Sequence, residues 1–248
     1  IMDIVYGGND FGGTIHGNYE DGYNFEARLR DYATYKTQLH GYKSGVIPDV
    51  LKSSTYVEYL AGHVNSIFGG GYGYYDYSNT ALYGSGVKMP YQHSSFVHIR
   101  PRAHDQNKIK TVFGAGTGYS GNRDDDAAQD RSYVLIDIPD GNTKFSDLEV
   151  FGAGSYNGLG MGLDKDKLAD GTVKLDEASA IIDLLHGHIH NAYGGSYNEG
   201  ITRHTVINVP AESSIQIDNI FGGAYGTQIL PPCDVYETQV NYNNTSEK

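Results

Sequence analysis

The sequence has no tryptophan, a single cysteine and few basic residues. One cysteine, Cys233, excludes an internal disulfide and a zinc site built from several cysteines. No apolar run approaches the roughly 20 residues of a membrane-spanning helix, and the first residues lack a basic and apolar signal pattern. With 18 Lys and Arg against 30 Asp and Glu, the formal net charge of −12 repels phosphate backbones and anionic lipids. We therefore expect no nucleic-acid partner and no membrane span.

Glycine and tyrosine are abundant instead. The 248 residues include 33 Gly and 22 Tyr, which helix interiors disfavour and which turns and strands accept. A chain of this length can bury a core as one domain, and elongated β folds often reach it without splitting. We expect a single all-β domain over residues 1–248.

A short motif recurs along the sequence and marks a structural repeat. Each copy has a β-branched or small residue, an aromatic residue, then Gly and Gly or Ala. The copies are Val5-Tyr6-Gly7-Gly8, Ile67-Phe68-Gly69-Gly70, Val112-Phe113-Gly114-Ala115, Val150-Phe151-Gly152-Ala153, Ala192-Tyr193-Gly194-Gly195 and Ile220-Phe221-Gly222-Gly223. Gly62 to Gly70 align with Gly187 to Gly195 without a gap. The unequal spacing of the copies is typical of coils with loops inserted at one corner.

A second element precedes five of the motifs, a short strand that reads apolar, polar, apolar. These strands are Val57-Glu58-Tyr59, Val97-His98-Ile99, Ile136-Asp137-Ile138, Ile182-Asp183-Leu184 and Ile207-Asn208-Val209. Equivalent strands of successive coils are expected to pair in parallel about 4.8 Å apart. Because parallel crossovers strongly favour the right hand, the pattern predicts a right-handed parallel β-helix, a β-solenoid of about six irregular coils.

The stacking of coils predicts where particular segments lie. The motif aromatics should form one column that faces inward, and the glycines beside them should permit positive φ and close approach of neighbouring backbones. Residues 14–53 depart from the pattern and are interpreted as an inserted excursion. Thr238–Tyr242 is expected to be the final rung, within a terminal strand and tail at residues 237–248.

In these motifs the sequence resembles glycine-rich, adhesin-like surface proteins of gut Bacteroidetes, whose coils carry a recurring V-F-G-G-G or V-Y-G-G-N turn. The likeness runs from Val5 to Tyr225. Its departures are the excursion at 14–53 and the alanines Ala115 and Ala153 in place of glycine. The resemblance implies a parallel β-helix and a location outside the cell or on the cell surface, and it supplies no catalytic residues.

A second set of aromatic residues follows the motifs at a short distance. It comprises Tyr72, Tyr119, Tyr156, Tyr197 and Tyr225, with Phe11 in the first unit. If these side chains leave the same corner of successive coils, they form a row of tyrosine faces on which sugar rings could stack. The alternative is an aromatic ladder packed for stability.

The middle positions of the short strands predict an outward column of polar residues. Its members are Glu58, His98, Asp137, Asp183 and Asn208. On neighbouring rungs, Asp137 and Asp183 would lie about 5 Å apart, a spacing at which carboxylates can act as general acid and nucleophile. The alternative is the solvated face of a half-exposed strand.

Two further groups have compositions found in metal sites. His186, His188 and His190 alternate on a predicted strand, but they span about 13 Å, so one ion could bind at most two of them, with His63 as a further ligand. The loop residues Asn122, Asp124, Asp125, Asp126 and Asp130 suit Ca²⁺ but lack the spacing of an EF-hand. Solvated polar faces are the simpler interpretation, so no cofactor is predicted and Ca²⁺ stays an option.

These features favour an exported, non-enzymatic cell-surface module that presents a tyrosine-rich, acidic surface to a glycan or a partner protein. A carbohydrate-active β-helix enzyme, a hydrolase or lyase using Asp137 and Asp183, is the alternative. A structural stalk or spacer is the third hypothesis. The first hypothesis predicts that Tyr72, Tyr197 and Tyr225 are exposed along one edge.

Overall fold

The strands of this protein form two sheets. The computed structural model describes residues 2–10, 14–15, 55–76, 79–85, 90–102, 107–118, 129–139, 145–155, 179–198, 200–226 and 234–243. The first sheet contains β1 (Met2–Tyr6), β4 (His63–Phe68), β6 (Lys108–Phe113), β8 (Glu149–Phe151), β10 (His188–Tyr193) and β12 (Gln216–Phe221). The second contains β2 (Thr14–Ile15), β3 (Thr55–Tyr59), β5 (Tyr91–Ile99), β7 (Gln129–Asp137), β9 (Ala180–His186), β11 (Ile201–Val209) and β13 (Asp234–Tyr242). A short helix, α1, spans Thr80–Tyr83.

All strand pairs in both sheets are parallel. The first sheet has the order β1-β4-β6-β8-β10-β12, and the second runs from β2 and β3 through β5, β7, β9 and β11 to β13. Thr14 of β2 lies opposite Tyr91 and Thr55 of β3 opposite Ser95, so β2 and β3 share one position beside β5. From β3 onward the chain alternates between the sheets, and each strand is added beside the previous strand of the same sheet. The predicted all-β, parallel architecture is confirmed.

The predicted excursion and tail fall partly outside the described residues. Residues 16–54 lie outside them, whereas Thr14–Ile15, which the prediction counted in the excursion, form β2. Thr238–Tyr242 belongs to β13 and pairs with Thr205–Val209 of β11. Residues 244–248 again lie outside the described residues.

The core lies between the two sheets and is built from aliphatic columns. Its members include Ile67, Val112 and Val150 from the first sheet and Val97, Val134 and Ile182 from the second, each at most 1% exposed. Equivalent residues of neighbouring strands lie opposite each other, as Val97 does Val134, so like side chains stack. Full burial of one such side chain contributes roughly 1.5–3 kcal/mol.

The first glycine is required by a backbone contact in every motif except the last, where a Cβ atom at Gly222 would meet the side chain of Thr238 at 2.9 Å. A Cβ atom added at Gly114 would lie 2.2 Å from the carbonyl oxygen of Gly152, and one at Gly194 would lie 2.1 Å from that of Gly222. No side chain fits at such a distance, so the predicted close approach of backbones is confirmed. The predicted positive φ is wrong, because none of the motif glycines has it.

Positive φ occurs instead at the corner that leads into the first sheet. Gly62 has a φ of 107° and Gly187 a φ of 114°, and these are the equivalent first residues of the nine-residue alignment. Glycine adopts this backbone without steric cost. It therefore lets the chain turn from the end of β9 at His186 directly into β10 at His188.

Hydroxyl side chains of the second sheet bind the motif turns. Thr55 donates to the carbonyl of Gly69 (2.7 Å), Ser95 to Gly114 (2.5 Å), Ser132 to Gly152 and Thr205 to Gly222 (2.6 Å). Ala180 and Thr238 occupy the same column, here called the hydroxyl column. Each bond joins the second sheet to the first glycine of the following motif, so the column fixes both sheets to one another.

Candidate functional site on the aromatic face

The motif aromatics stack into one continuous column. The aromatic column consists of Tyr6, Phe68, Phe113, Phe151, Tyr193 and Phe221. Successive ring centroids are 4.4–4.9 Å apart, and neighbouring rings lie within 17° of parallel. Such offset stacking adds to the energy of burial, so the column is a rigid feature of the first sheet. The prediction that these residues form a column is confirmed.

The aromatic column faces away from the core, contrary to the prediction. Ile67 belongs to the core between the sheets, whereas Phe68, the next residue of β4, belongs to a separate aromatic cluster. Successive strand residues point to opposite faces, so the aliphatic residue before each aromatic takes the inward position. Both residues are apolar, and hydrophobicity alone did not distinguish them.

Three described members of the second aromatic set pack on this column. Tyr72 lies 5.2 Å from Tyr6 between ring centroids, and Tyr225 meets Tyr193 edge-on at 5.6 Å. Tyr197 meets Phe151 edge-on at 5.4 Å. We call Tyr72, Tyr197 and Tyr225 the tyrosine row. Tyr119, Tyr156 and Phe11, the other predicted members, lie outside the described residues.

The tyrosine row is both packed and accessible. Tyr225 is 50% exposed, and Tyr72 and Tyr197 are half-buried. Tyr197 and Tyr225 stack on each other with centroids 5.1 Å apart and an interplanar angle of 17°. Their rings are held from below by the aromatic column and open to solvent above, which combines features of both predicted alternatives.

More tyrosines extend the row beside Tyr72. Tyr74 stacks with Tyr72 at 6.2 Å and is 42% exposed, and Tyr75 meets Tyr72 edge-on at 5.5 Å. The Tyr75 hydroxyl donates to Asp10 Oδ1 (2.9 Å). This hydrogen bond raises the pKa of Tyr75 to about 12. The result is an aromatic patch with a fixed carboxylate at its rim.

A strip of polar residues runs beside the aromatic column on the same face. The strip consists of Ser66, Thr111, Glu149, Asn191 and Asn219. Ser66 and Thr111 share a hydrogen bond of 2.7 Å, and the Asn219 amide donates to Asn191 (2.9 Å). Each strip residue lies two positions before an aromatic, so amide, hydroxyl and carboxylate groups accompany the rings along the sheet.

The three predicted histidines do not share one strand. The turn at Gly187 places His186 in the second sheet, where its Nδ1 lies 2.7 Å from Asp137 Oδ1. His188 and His190 lie in the first sheet, and Asp218 of β12 binds both, at 3.3 Å from His188 Nε2 and 2.8 Å from His190 Nδ1.

Asp218 was missed by sequence reasoning. Its hydrogen bonds with His190 and then His188 lower its pKa. The signal for it is the nine-residue alignment, which extends from Gly187–Gly195 to Ile215–Gly223 and places Asp218 beside His190. His63, the predicted further ligand, lies on β4, and two strands separate β4 from β10.

No metal site emerges from the described residues. Within them, no group of three or more His, Cys, Asp or Glu side chains could hold a metal ion. Asp124 and Asp126 lie outside the described residues. The backbone of Asp130 belongs to β7 and thus to a strand, which corrects its assignment to an acidic loop.

The predicted carboxylate column has a different register. Asp183 lies opposite Leu135, and Asp137 lies opposite His186 beyond an irregularity in the pairing. Asp183 is 1% exposed and accepts hydrogen bonds from the Tyr133 hydroxyl and from Asn208 Nδ2 (2.7 Å). Asp137 and Asp183 are therefore not an open carboxylate pair, and the predicted catalytic geometry is wrong.

Three of the five predicted column positions on the outer face of the second sheet are buried, although a solvated face was the alternative expectation; Glu58 and Asp137 are half-buried. His98, Asp183 and Asn208 point away from the core, yet each is at most 1% exposed. Burial lowers the pKa of His98 to about 4. Burial also lowers the pKa of His204, another fully buried side chain. Both imidazoles are neutral at pH 7, so this face contributes packing and hydrogen bonds.

No protein-family model, curated protein or solved structure matches the chain. None of the described helical segments has the length and apolar character needed to cross a membrane. The aromatic face is the candidate site, because it alone among the described surfaces combines exposed rings, a rigid base and adjacent polar groups.

Proposed function

We propose that this chain is a right-handed parallel β-solenoid that acts as a non-enzymatic glycan-binding module. The tyrosine row is its ligand surface, and the polar strip supplies hydrogen bonds to sugar hydroxyls. The alternation of the chain between two parallel sheets from β3 onward supports the solenoid. The hand follows from the general preference of parallel crossovers. A cell-surface location rests on the resemblance of the motifs to adhesin-like proteins.

One observation carries the functional proposal: Tyr197 and Tyr225 are stacked 5.1 Å apart, supported by the aromatic column and open on one side. Ligand sites are typically lined by hydrophobic and aromatic side chains with a few placed polar groups. Rigid tyrosines offer contact area at low cost in conformational entropy. A pyranose ring presents C–H groups on its faces, which match the tyrosine rings, and hydroxyls at its rim, which match the amides and hydroxyls of the polar strip on the same face of the sheet.

The charge of the protein narrows the ligand class. A net charge of −12 repels acidic polysaccharides, and Glu149 lies within the polar strip itself. Neutral glycans avoid this repulsion. We therefore assign neutral hexose polymers or their oligosaccharides as the ligand class.

A glycan-array screen of the purified protein tests the proposal. Tyr225→Ala and Tyr197→Ala should lower binding at least tenfold, because each removes about half of the stacked pair. The matched control is Tyr242→Ala, which removes an equally large, 61% exposed tyrosine from the second sheet. Loss of binding in the row variants with the control unchanged supports the site. Equal loss in the control, or no binding by the unaltered protein, contradicts it.

The second candidate function is a structural spacer, and the packing of Tyr72 and Tyr197 on the aromatic column favours it. In that case the row stabilises the first sheet and has no ligand. Tyr197→Ala would then lower the free energy of unfolding, and the array would stay silent. A protein partner at the same surface would show as binding to host-surface extracts that Tyr225→Ala abolishes while the array is silent.

A further inference from the structure

The two ends of the sheets carry matching strands. Among the described strands, β12 and β13 at the tail end have a neighbour on one side only, and at the head end the same is true of β1 and of the position that β2 and β3 share. Large exposed hydrophobic side chains concentrate there. In the described residues, Met2, Ile4, Phe221, Val240 and Tyr242 are 43–61% exposed, and all five lie on end strands. Exposed strand edges with apolar residues are templates for further pairing.

The head end is hollow and the tail end protrudes. A cavity of about 340 Å³ at the head is lined by Met2, Val5 and Val57, among others. At the tail, Val240 projects from the core column that begins with Val57 and passes through Val97, Val134, Ile182 and Ile207. The core is therefore open at the head and ends in an uncovered side chain at the tail.

The hydrogen bond between the hydroxyl column and the first glycine of the next motif lacks one partner at each end of the described sheets. Inside the molecule, a hydroxyl of the hydroxyl column donates to the first glycine of the next motif, as Thr205 does to Gly222. Thr238 is the last member of that column and has no acceptor among the described residues. At the head, the carbonyl of Gly7, the first motif glycine, has no donor among them. The missing donor and the missing acceptor are the same pair that the repeat makes internally.

We propose that copies of this chain associate head to tail, so that β12 and β13 of one copy pair in parallel with β1 and β2–β3 of the next. Phe221 then stacks on Tyr6 of the next copy, Ile220 continues into Val5, and Thr238 donates to Gly7. These are the residue types that already stack on one another within the molecule.

The interface is large enough for specific association. β12, β13 and the turn after β12 offer about 20 residues, the lower bound for one side of a standard interface. The contact is heterologous, so it does not close on itself and extends into linear oligomers. The net charge of −12 per copy opposes it, and Asp218 would come to lie near Asp3 of the next copy. Association therefore strengthens as salt screens this repulsion.

Sedimentation of the full chain in high salt tests the proposal. We expect a mass that rises with concentration in steps of 27.1 kDa. Val240→Lys blocks the tail and Met2→Lys blocks the head; both positions are exposed in the single copy and become buried on association. Each variant alone should associate at least tenfold more weakly. Leu82→Lys, at a 67% exposed position on α1 and on none of the end strands, is the matched control and should behave as the unaltered protein.

Mixing the two blocked variants gives the decisive result. One intact tail and one intact head remain, so the mixture should form a species of twice 27.1 kDa and nothing larger. A 27.1 kDa mass for the unaltered protein up to about 1 mM, or no dimer in the mixture, overturns the proposal. Thr238→Val provides a second probe if either lysine variant fails to fold, with association weakened roughly fivefold by loss of one hydrogen bond.

Discussion

Replacing Gly114 by alanine should be strongly destabilising, although its backbone conformation suits any residue. The new Cβ atom would lie 2.2 Å from the carbonyl oxygen of Gly152, whereas ordinary contacts begin at 3.4 Å. The two strand positions must then separate by roughly 1 Å, because the obstacle is backbone and cannot rotate away. That movement weakens the hydrogen bonds from Gly114 N to Phe151 O (2.9 Å) and from Ala115 N to Ala153 O (3.3 Å).

Three contributions set the expected change in the free energy of unfolding. Overpacking costs about 1–3 kcal/mol, and each weakened backbone bond costs about 1 kcal/mol. The reduced entropy of the unfolded chain returns about 0.4–1 kcal/mol. We expect a net loss of about 3 kcal/mol in the free energy of unfolding, or roughly 6–12 °C in Tm for a chain of this size.

Urea unfolding of Gly114→Ala measures this loss. The matched control is Gly223→Ala in the last motif, where an added Cβ meets no atom within 4 Å. The control should lie within about 0.5 kcal/mol of the unaltered protein. A loss below about 1 kcal/mol in Gly114→Ala, with an unchanged m-value, would refute the backbone contact as the reason for glycine.

Three further predictions concern the columns. Phe151→Ala should lower the free energy of unfolding by about 3–5 kcal/mol, because the Phe151 ring is fully buried. Phe221→Ala, at the 44% exposed end of the aromatic column, should lower it by less than half as much. Equal losses for both variants in thermal unfolding would contradict the stacking of the column. Because burial holds the folded-state pKa of His98 near 4, the unfolded chain binds more protons between pH 6.5 and 4, so stability falls on acidification across that window. Unfolding of His98→Gln over the same pH range should show a shallower fall, by up to about 3 kcal/mol, and an identical slope would exclude His98 as the cause. Ala180→Ser restores a hydroxyl to the hydroxyl column at the position where alanine interrupts it. The new hydroxyl should donate to the carbonyl of Gly194 and raise the free energy of unfolding by about 1 kcal/mol. A lower free energy of unfolding would show that the site lacks room for the hydroxyl.

The sequence predicted the repeat more accurately than its register. The nine-residue match of Gly62–Gly70 to Gly187–Gly195 placed the equivalent residues correctly. The middle of the third short strand was misplaced by two residues, at Asp137 instead of Leu135. A shift of two residues leaves every side chain on the same face, so alternation of apolar and polar residues cannot detect it. The hydroxyl column would have shown it, since Ser132 precedes Val134 as Ser95 precedes Val97.

The candidate site was predicted in its composition and not in its arrangement. The spacing of Tyr72, Tyr197 and Tyr225 after the motifs indicated one edge, and the structure places Tyr197 against Tyr225. Their packing on the aromatic column depends on that column facing outward, which the sequence did not reveal. Asp218 and its two histidine partners are brought together by strand pairing across about 28 residues of chain.

The sequence by itself determined that like residues stack on like. A fixed order of aliphatic, aromatic and glycine residues in each motif means that any parallel stacking yields columns, whichever way they face. The tertiary structure decided which face of the sheet each column occupies and which residues it contacts. Adjacent apolar residues compete for the core, and Ile67 and Val112 take the inward positions between the two sheets while Phe68 and Phe113 take the outer face. Burial of His98 and Asp183 was likewise decided by packing, because a polar residue in the middle of a strand is compatible with a solvated face or a satisfied interior.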